Sequence, residues 1–203
     1  MTRAYAVALA AAVLAGCGRS WPITNAAPSG SNVIAFGDSL TQGYRLDPGQ
    51  GWPEQLSALI GRPIVNRGVS GDTTADALAR LERDVLAEDP RIVLVCLGGN
   101  DMLRRMPADQ QFDNLRAIVR RIQEKGALVI LIGTEGYTIL SNVDYGARYE
   151  ALAKETGAAY VPDLMDGVLG DPTLMLDQIH PNARGYEKIA KRIAGEAGEY
   201  LSR

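Results

Sequence analysis

Five short apolar runs, separated by segments of helical periodicity, set the narrowest limit on how this chain folds. They are Val33–Phe36, Pro63–Asn66, Ile92–Leu97, Leu128–Ile132 and Ala159–Val161. A short run without polar alternation suits a strand covered on both faces. Between the runs, Trp52–Ile60 reads as a helix with proline in its first turn and Gly61 as its stop. Thr73-x-x-Asp76 resembles a capping box ahead of the apolar face Leu78, Leu81 and Val85, and Pro90 closes that segment. Phe112, Leu115, Val119 and Ile122 mark a further helix ended by Gly126, and Tyr145–Thr156 marks another. The last helix follows Pro181-Asn182, with Asn182 as its cap, and runs to about Tyr200. Parallel strands need a crossover, usually a helix. The expected fold class is therefore α/β: a single three-layer α/β/α domain with a mostly parallel, flavodoxin-like central sheet.

Charge and composition exclude several functions. With 21 basic and 24 acidic residues, net charge −3, the balance argues against a nucleic-acid surface, which needs a basic patch. One histidine, His180, and two cysteines, Cys17 and Cys96, argue against a zinc site. No Gly-x-Gly-x-x-Gly or Gly-Lys-Ser/Thr phosphate loop is present. The first residues differ from the rest. Arg3 precedes Ala4–Leu14, a stretch too short to span a bilayer and suited to a secretory apolar region. It ends in Leu14-Ala15-Gly16-Cys17, which resembles a bacterial lipobox, where a lipid joins the cysteine and the preceding segment is removed. Ordinary signal cleavage near the small residues is the alternative. The expected organisation is a lipoprotein-type signal peptide over 1–16, a flexible tether over 17–31 and the folded domain over 32–203. Such a protein is an exported bacterial lipoprotein, held on an envelope membrane through Cys17.

Functional residues of a parallel α/β sheet gather at the carboxyl ends of its strands. Ser39, in Gly37-Asp38-Ser39-Leu40, and Asn100, in Gly98-Gly99-Asn100-Asp101, each directly follow an apolar run. A serine hydroxyl becomes a useful nucleophile when a base takes its proton, and His180 is the only histidine. Asp177 precedes it by three residues, the spacing of one helical turn, and could hold the ring in the required tautomer. Pro181 biases His180 away from helical geometry, onto a loop. Taken singly these are ordinary turn and surface patterns; their conjunction is informative. Asp101 is an alternative acid. Cys96 is either a second nucleophile or, mid-strand, a packed core residue. Tyr44, Leu46 and Trp52 either line an acyl or alcohol pocket or pack inside.

The conjunction resembles the GDSL, or SGNH, hydrolase family. Gly37-Asp38-Ser39-Leu40 matches its first block, whose serine is the nucleophile. Asn66–Thr73 resembles the second, whose glycine, here Gly71, gives a backbone N–H to the oxyanion hole. Gly98–Asp101 matches the third, whose asparagine, here Asn100, donates its side-chain amide, and Asp177-x-x-His180 matches the last, with acid and base. The resemblance implies a catalytic set of Ser39, Asp177 and His180 and an oxyanion hole of the Ser39 N–H, the Gly71 N–H and Asn100. It implies no metal and no cofactor. It is nearest to bacterial acyl-CoA thioesterase/arylesterase/lysophospholipase members and so implies cleavage of acyl esters, thioesters or lysophospholipids through an acyl-enzyme. Residues Gly133–Tyr145 depart from the thioesterase pattern. The alternatives are a carbohydrate O-acetylesterase of the same family and a non-catalytic flavodoxin-like binding module.

Overall fold

The computed structural model describes residues 21–134 and 143–202. It contains strands β1 (Asn32–Gly37), β2 (Ile64–Gly68), β3 (Pro90–Cys96), β4 (Leu128–Ile132) and β5 (Ala159–Val161). Its helices are α1 (Ser39–Gln42), α2 (Trp52–Ile60), α3 (Thr74–Leu81), α4 (Gly99–Leu103), α5 (Ala108–Glu124), α6 (Tyr145–Thr156) and α7 (Ala183–Leu201). The strands form one parallel sheet in the order β2-β1-β3-β4-β5, the flavodoxin-like arrangement expected.

Alternation along each strand explains why continuous apolar runs were needed. Val33, Ala35, Ile92, Leu94, Leu128 and Ile130 face α2 and α7, where they meet Trp52, Leu56, Ile189 and Ile193. Ile34, Phe36, Val93, Val95, Val129 and Leu131 face α3, α5 and α6, with Leu81, Leu115, Val119 and Tyr149. Both faces of the central strands are therefore dry. The Thr73–Asp76 capping box forms as read. The Asn182 side chain caps α7 by accepting from the Arg184 and Gly185 N–H groups at 3.0 and 3.1 Å.

Several details differ from expectation. Pro90 opens β3 instead of closing the helix before it. It sits at the first strand position, where a missing N–H is tolerated. The helix carrying Leu81 passes into a π-helical turn over Glu82–Leu86, which buries both Val85 and Leu86. Ser39 and Asn100, expected on turns just after their strands, lie in the short helices α1 and α4.

The larger correction concerns residues 21–31, which do not behave as a flexible tether. The Trp21 indole donates to the Ala158 carbonyl at 2.9 Å and the Thr24 hydroxyl to that of Thr156 at 2.9 Å. The Asn25 amide donates to the carbonyls of Gln123 and Ala127 at 2.8 and 2.9 Å. A linker-like composition of Pro, Ser, Asn and Gly misled because these side chains satisfy carbonyls at helix ends and strand starts that the chain itself leaves open. Residues 1–20, including the expected signal peptide and Cys17, lie outside the described residues, as do residues 135–142 of the divergent segment.

Asn25 carries much of this docking and also adopts a left-handed φ of 55°. Asn25→Ala removes both hydrogen bonds and strains the backbone, so urea unfolding should show a loss of about 2–3 kcal/mol. Asn25→Gly should recover the part due to strain. A free tether predicts no change in either variant.

Candidate active site

The connections reverse direction between β1 and β3, which opens a crevice at their carboxyl ends. Their register pairs Gly37 with Cys96, so the chain leaves both strands at one level. Asp38 caps α1 by accepting the Leu40 N–H at 3.0 Å, which presents Ser39 as the first helical residue. Opposite, Gly98 turns with φ 118°, and a Cβ there would collide with the Tyr149 hydroxyl. That turn starts α4 and brings Asn100 toward α1.

His180 reaches this crevice from the segment before α7. Its Nε2 lies 3.0 Å from Ser39 Oγ, and its Nδ1 lies 3.0 and 3.1 Å from the Asp177 carboxylate oxygens. The Asp177–His180 pairing comes from a tight non-helical loop. The Leu176 N–H donates to the His180 carbonyl at 2.8 Å, and an isolated bridge joins Met175 to Pro181. Asp177 Oδ1 also accepts the backbone N–H groups of Ile179 and His180 at 2.8 and 2.7 Å. Burial works against its charge, but these bonds and the imidazole hold its carboxyl down, to about 2. The Tyr44 ring packs on the imidazole, centroids 4.7 Å apart.

Asn100 donates its amide to the Asp72 carbonyl at 3.0 Å and to Asp38 Oδ2 at 3.3 Å. The contact with Asp72 sets the loop that carries Gly71 beside Asn100. That loop is also held by the Ser70 N–H on Gln42 Oε1 at 2.9 Å and by Arg104, which donates to the Gly71 carbonyl at 2.7 Å. The structure thus brings Ser39, Asp177, His180, Asn100 and the Gly71 loop into one crevice. Asp101 stands apart from His180, fully buried, accepting the Thr74 N–H and hydroxyl at 2.9 and 2.6 Å and so tying α3 to α4. Cys96 is buried in β3 among core residues, with its thiol pushed up by burial, and Trp52 and Leu46 pack in or against the core.

Arg80 is the residue that sequence reading missed. Its guanidinium lies 4.4 Å from the Phe36 ring centroid and donates to the carbonyls of Gly37 at 2.9 Å and Arg67 at 3.0 Å. It also pairs with Asp72 and Asp84. Only the Arg80–Asp84 spacing was readable in sequence. The other partners come from β1, β2 and the Gly71 loop.

With this fold and crevice, the chain belongs to the GDSL-like lipase/acylhydrolase family, whose model matches residues 35–188. It is an enzyme of the SGNH esterase and thioesterase type. It is similar to the esterase TesA of Pseudomonas aeruginosa, at 33% identity over 90% of this chain and 95% of that protein. It is also similar to the thioesterase 1/protease 1/lysophospholipase L1 of Escherichia coli K12, at 34% identity over 85% of this chain and 86% of that one. The crystal structure of TesA superposes with a TM-score of 0.78 at 30% identity, covering 84% of this chain and all of the other.

Asp38 gives the site an unusual charge state. Burial, with lesser contributions from the Asp72 and Asp101 charges, pushes its carboxyl up to about 7 from 3.8. Between those values the folded chain holds this proton more tightly than the unfolded chain does. Stability from this group is therefore full below pH 4, falls as pH rises through 4 to 7, and stays low above 7. At about 1.4 kcal/mol per pH unit the loss amounts to at most about 4 kcal/mol. Asp38→Asn should flatten this descent, as measured by urea unfolding between pH 4 and 8. An unchanged slope in the variant would show that the carboxyl titrates as an ordinary exposed acid.

Proposed function

We propose that this protein hydrolyses acyl esters or thioesters through a covalent acyl-enzyme on Ser39. The observation that carries the reading is the 3.0 Å contact between Ser39 Oγ and the Nε2 of the only histidine, whose other nitrogen rests on Asp177. In this reading His180 takes the Ser39 proton as Oγ attacks the carbonyl carbon, and Asp177 orients the ring and balances the imidazolium. The Ser39 N–H, the Gly71 N–H and the Asn100 amide receive the oxyanion. Asn100 spends both amide hydrogens within the protein, and the 3.3 Å bond to Asp38 is the weaker one, so it is the one exchanged for the oxyanion. The imidazolium then protonates the departing alcohol or thiol. Water, deprotonated by His180, attacks the acyl-enzyme, and Ser39 regains its proton.

Four exposed apolar side chains, Tyr44, Val69, Leu103 and Leu176, lie on the loops and helices that carry the site, which favours an apolar acyl group. A polar hollow of about 350 Å³ opens beside Tyr44, lined by Gln42, Arg45, Asp47 and Glu54 among others. It favours a second reading, a carbohydrate O-acetylesterase with the sugar in the hollow. A panel of p-nitrophenyl esters from two to sixteen carbons separates the two, since an O-acetylesterase prefers the shortest.

Ser39→Ala and His180→Ala should each leave under a hundredth of the wild-type kcat with the fold kept. Asn100→Ala should lower kcat by about 10²–10³ with KM little changed, because its bond to the reacting oxygen forms mainly in the transition state. Steady-state kinetics beside thermal melts provide the check. More than a tenth of wild-type rate in His180→Ala would sink the mechanism.

We also propose that Cys17 carries a lipid in the mature protein, on the strength of Leu14-Ala15-Gly16-Cys17 after an apolar stretch. Mass spectrometry of the native N-terminus should find a lipid-modified Cys17. An unmodified terminus at another residue would overturn this.

A further inference from the structure

The chain enters the fold at the end opposite to Ser39. Residues 21–32 cross beneath the amino ends of β5, β4 and β3 in turn. Trp21 and Thr24 bond carbonyls at 156–158, just before β5. Asn25 and the Ser29 N–H bond carbonyls at 123–127, just before β4. The Ser31 and Asn32 N–H groups donate to Asp89, just before β3. Arg91 reaches back to the Pro28 carbonyl at 2.8 Å and secures the crossing. Ser39 follows the carboxyl end of β1, three strands away from β5.

Elementary strand geometry sets the scale. The seven residues of β3 rise about 20 Å from end to end, at roughly 3.3 Å per residue. Three strand spacings add about 14 Å sideways, at roughly 4.8 Å each. Trp21 and Ser39 therefore stand on the order of 25 Å apart. Four peptide steps join Cys17 to Trp21, and fully extended they span at most about 14 Å. That reach is shorter than the sheet is tall. The apolar side chains around the site would by themselves suit a membrane surface, but the anchor decides which face meets it.

We propose that attachment at Cys17 turns the base of the domain to the membrane and the Ser39 crevice to the aqueous compartment. The enzyme then takes water-dispersed acyl esters or thioesters, and not esters lodged in the membrane that holds it. This rests on the lipid-attachment and hydrolase readings above.

The test couples the chain from Cys17 onward to a maleimide lipid in phosphatidylcholine/phosphatidylglycerol vesicles, which removes any dependence on lipidation in the cell. Cys96 is buried and does not compete. Dyes are introduced through azide side chains at Glu124, exposed at the base, or at Leu103, exposed at the rim, with energy-transfer acceptors on the headgroups. Transfer from position 124 should exceed that from 103 several-fold. Equal or reversed transfer overturns the proposal. This readout needs no catalysis, so a failure of the hydrolase reading remains distinct. In a second arm, the anchored chain is compared with a variant carrying a thirty-residue Gly/Ser insertion between Ser20 and Trp21. The substrate is a long-chain ester that the free chain cleaves in detergent micelles, now held in the vesicle. The insertion should raise that rate at least tenfold and leave turnover of a soluble ester unchanged. Equal rates on the vesicle ester contradict the proposal.

Discussion

The parallel pairing of β1 with β3 is the contact around which the site is arranged. It sets Gly37 beside Cys96, so two loops with different chemistry leave the sheet at one height. The approach leaves no room for a side chain at position 37. A Cβ there would stand 2.5 Å from the Cys96 carbonyl oxygen and nearer still to the Thr41 hydroxyl. The Gly37 carbonyl in turn accepts the Val69 N–H at 3.0 Å and the Arg80 guanidinium at 2.9 Å. One residue without a side chain thereby joins β1, β3, the loop after β2 and α3, and any shift of that pairing would move every part of the crevice.

Polar groups complete what the strand pairing begins. Asp38, Asp72 and Asp101 are buried near one another, an arrangement that costs stability unless each is matched. Arg80 matches Asp72, the Thr74 N–H and hydroxyl match Asp101, and the Leu40 N–H with the Asn100 amide matches Asp38. Replacing buried ion pairs by well-packed apolar side chains is often neutral or stabilising, but apolar side chains here could not orient Asn100 or the Gly71 loop. The network exchanges stability for direction, and Asp38, held near 7, carries the clearest sign of that exchange.

The two ends of the sheet divide the work. Its carboxyl ends carry Ser39 and Asn100, where strand carbonyls end and helices begin. Its amino ends receive residues 21–31, whose side chains and N–H groups occupy the carbonyls left open there. A parallel sheet has this polarity built in, since all its strands begin on one side. The site and the chain entry are consequently separated by the full height of the domain.

Much of this was legible in the order of residues. Apolar runs of strand length determined five strands, and the Thr73–Asp76 and Asn182 caps were local patterns that needed no partner from elsewhere. The matching blocks picked out Ser39, Gly71, Asn100, Asp177 and His180, because each sits in a short motif of distinctive residue types. What stayed hidden depends on contacts between distant segments. Nothing local distinguishes Arg80 from a surface arginine, or residues 21–31 from a linker, until β1, β2 and the ends of β4 and β5 are in place. The sequence alone determined the five strands and the longer helices and pointed to the side chains proposed for the chemistry, since those follow from periodicity and residue type within a few positions. Only the tertiary structure decided how Asp38 is charged, what orients Asn100 and where the chain enters, because burial and hydrogen-bond partners are properties of packed neighbours far apart along the chain.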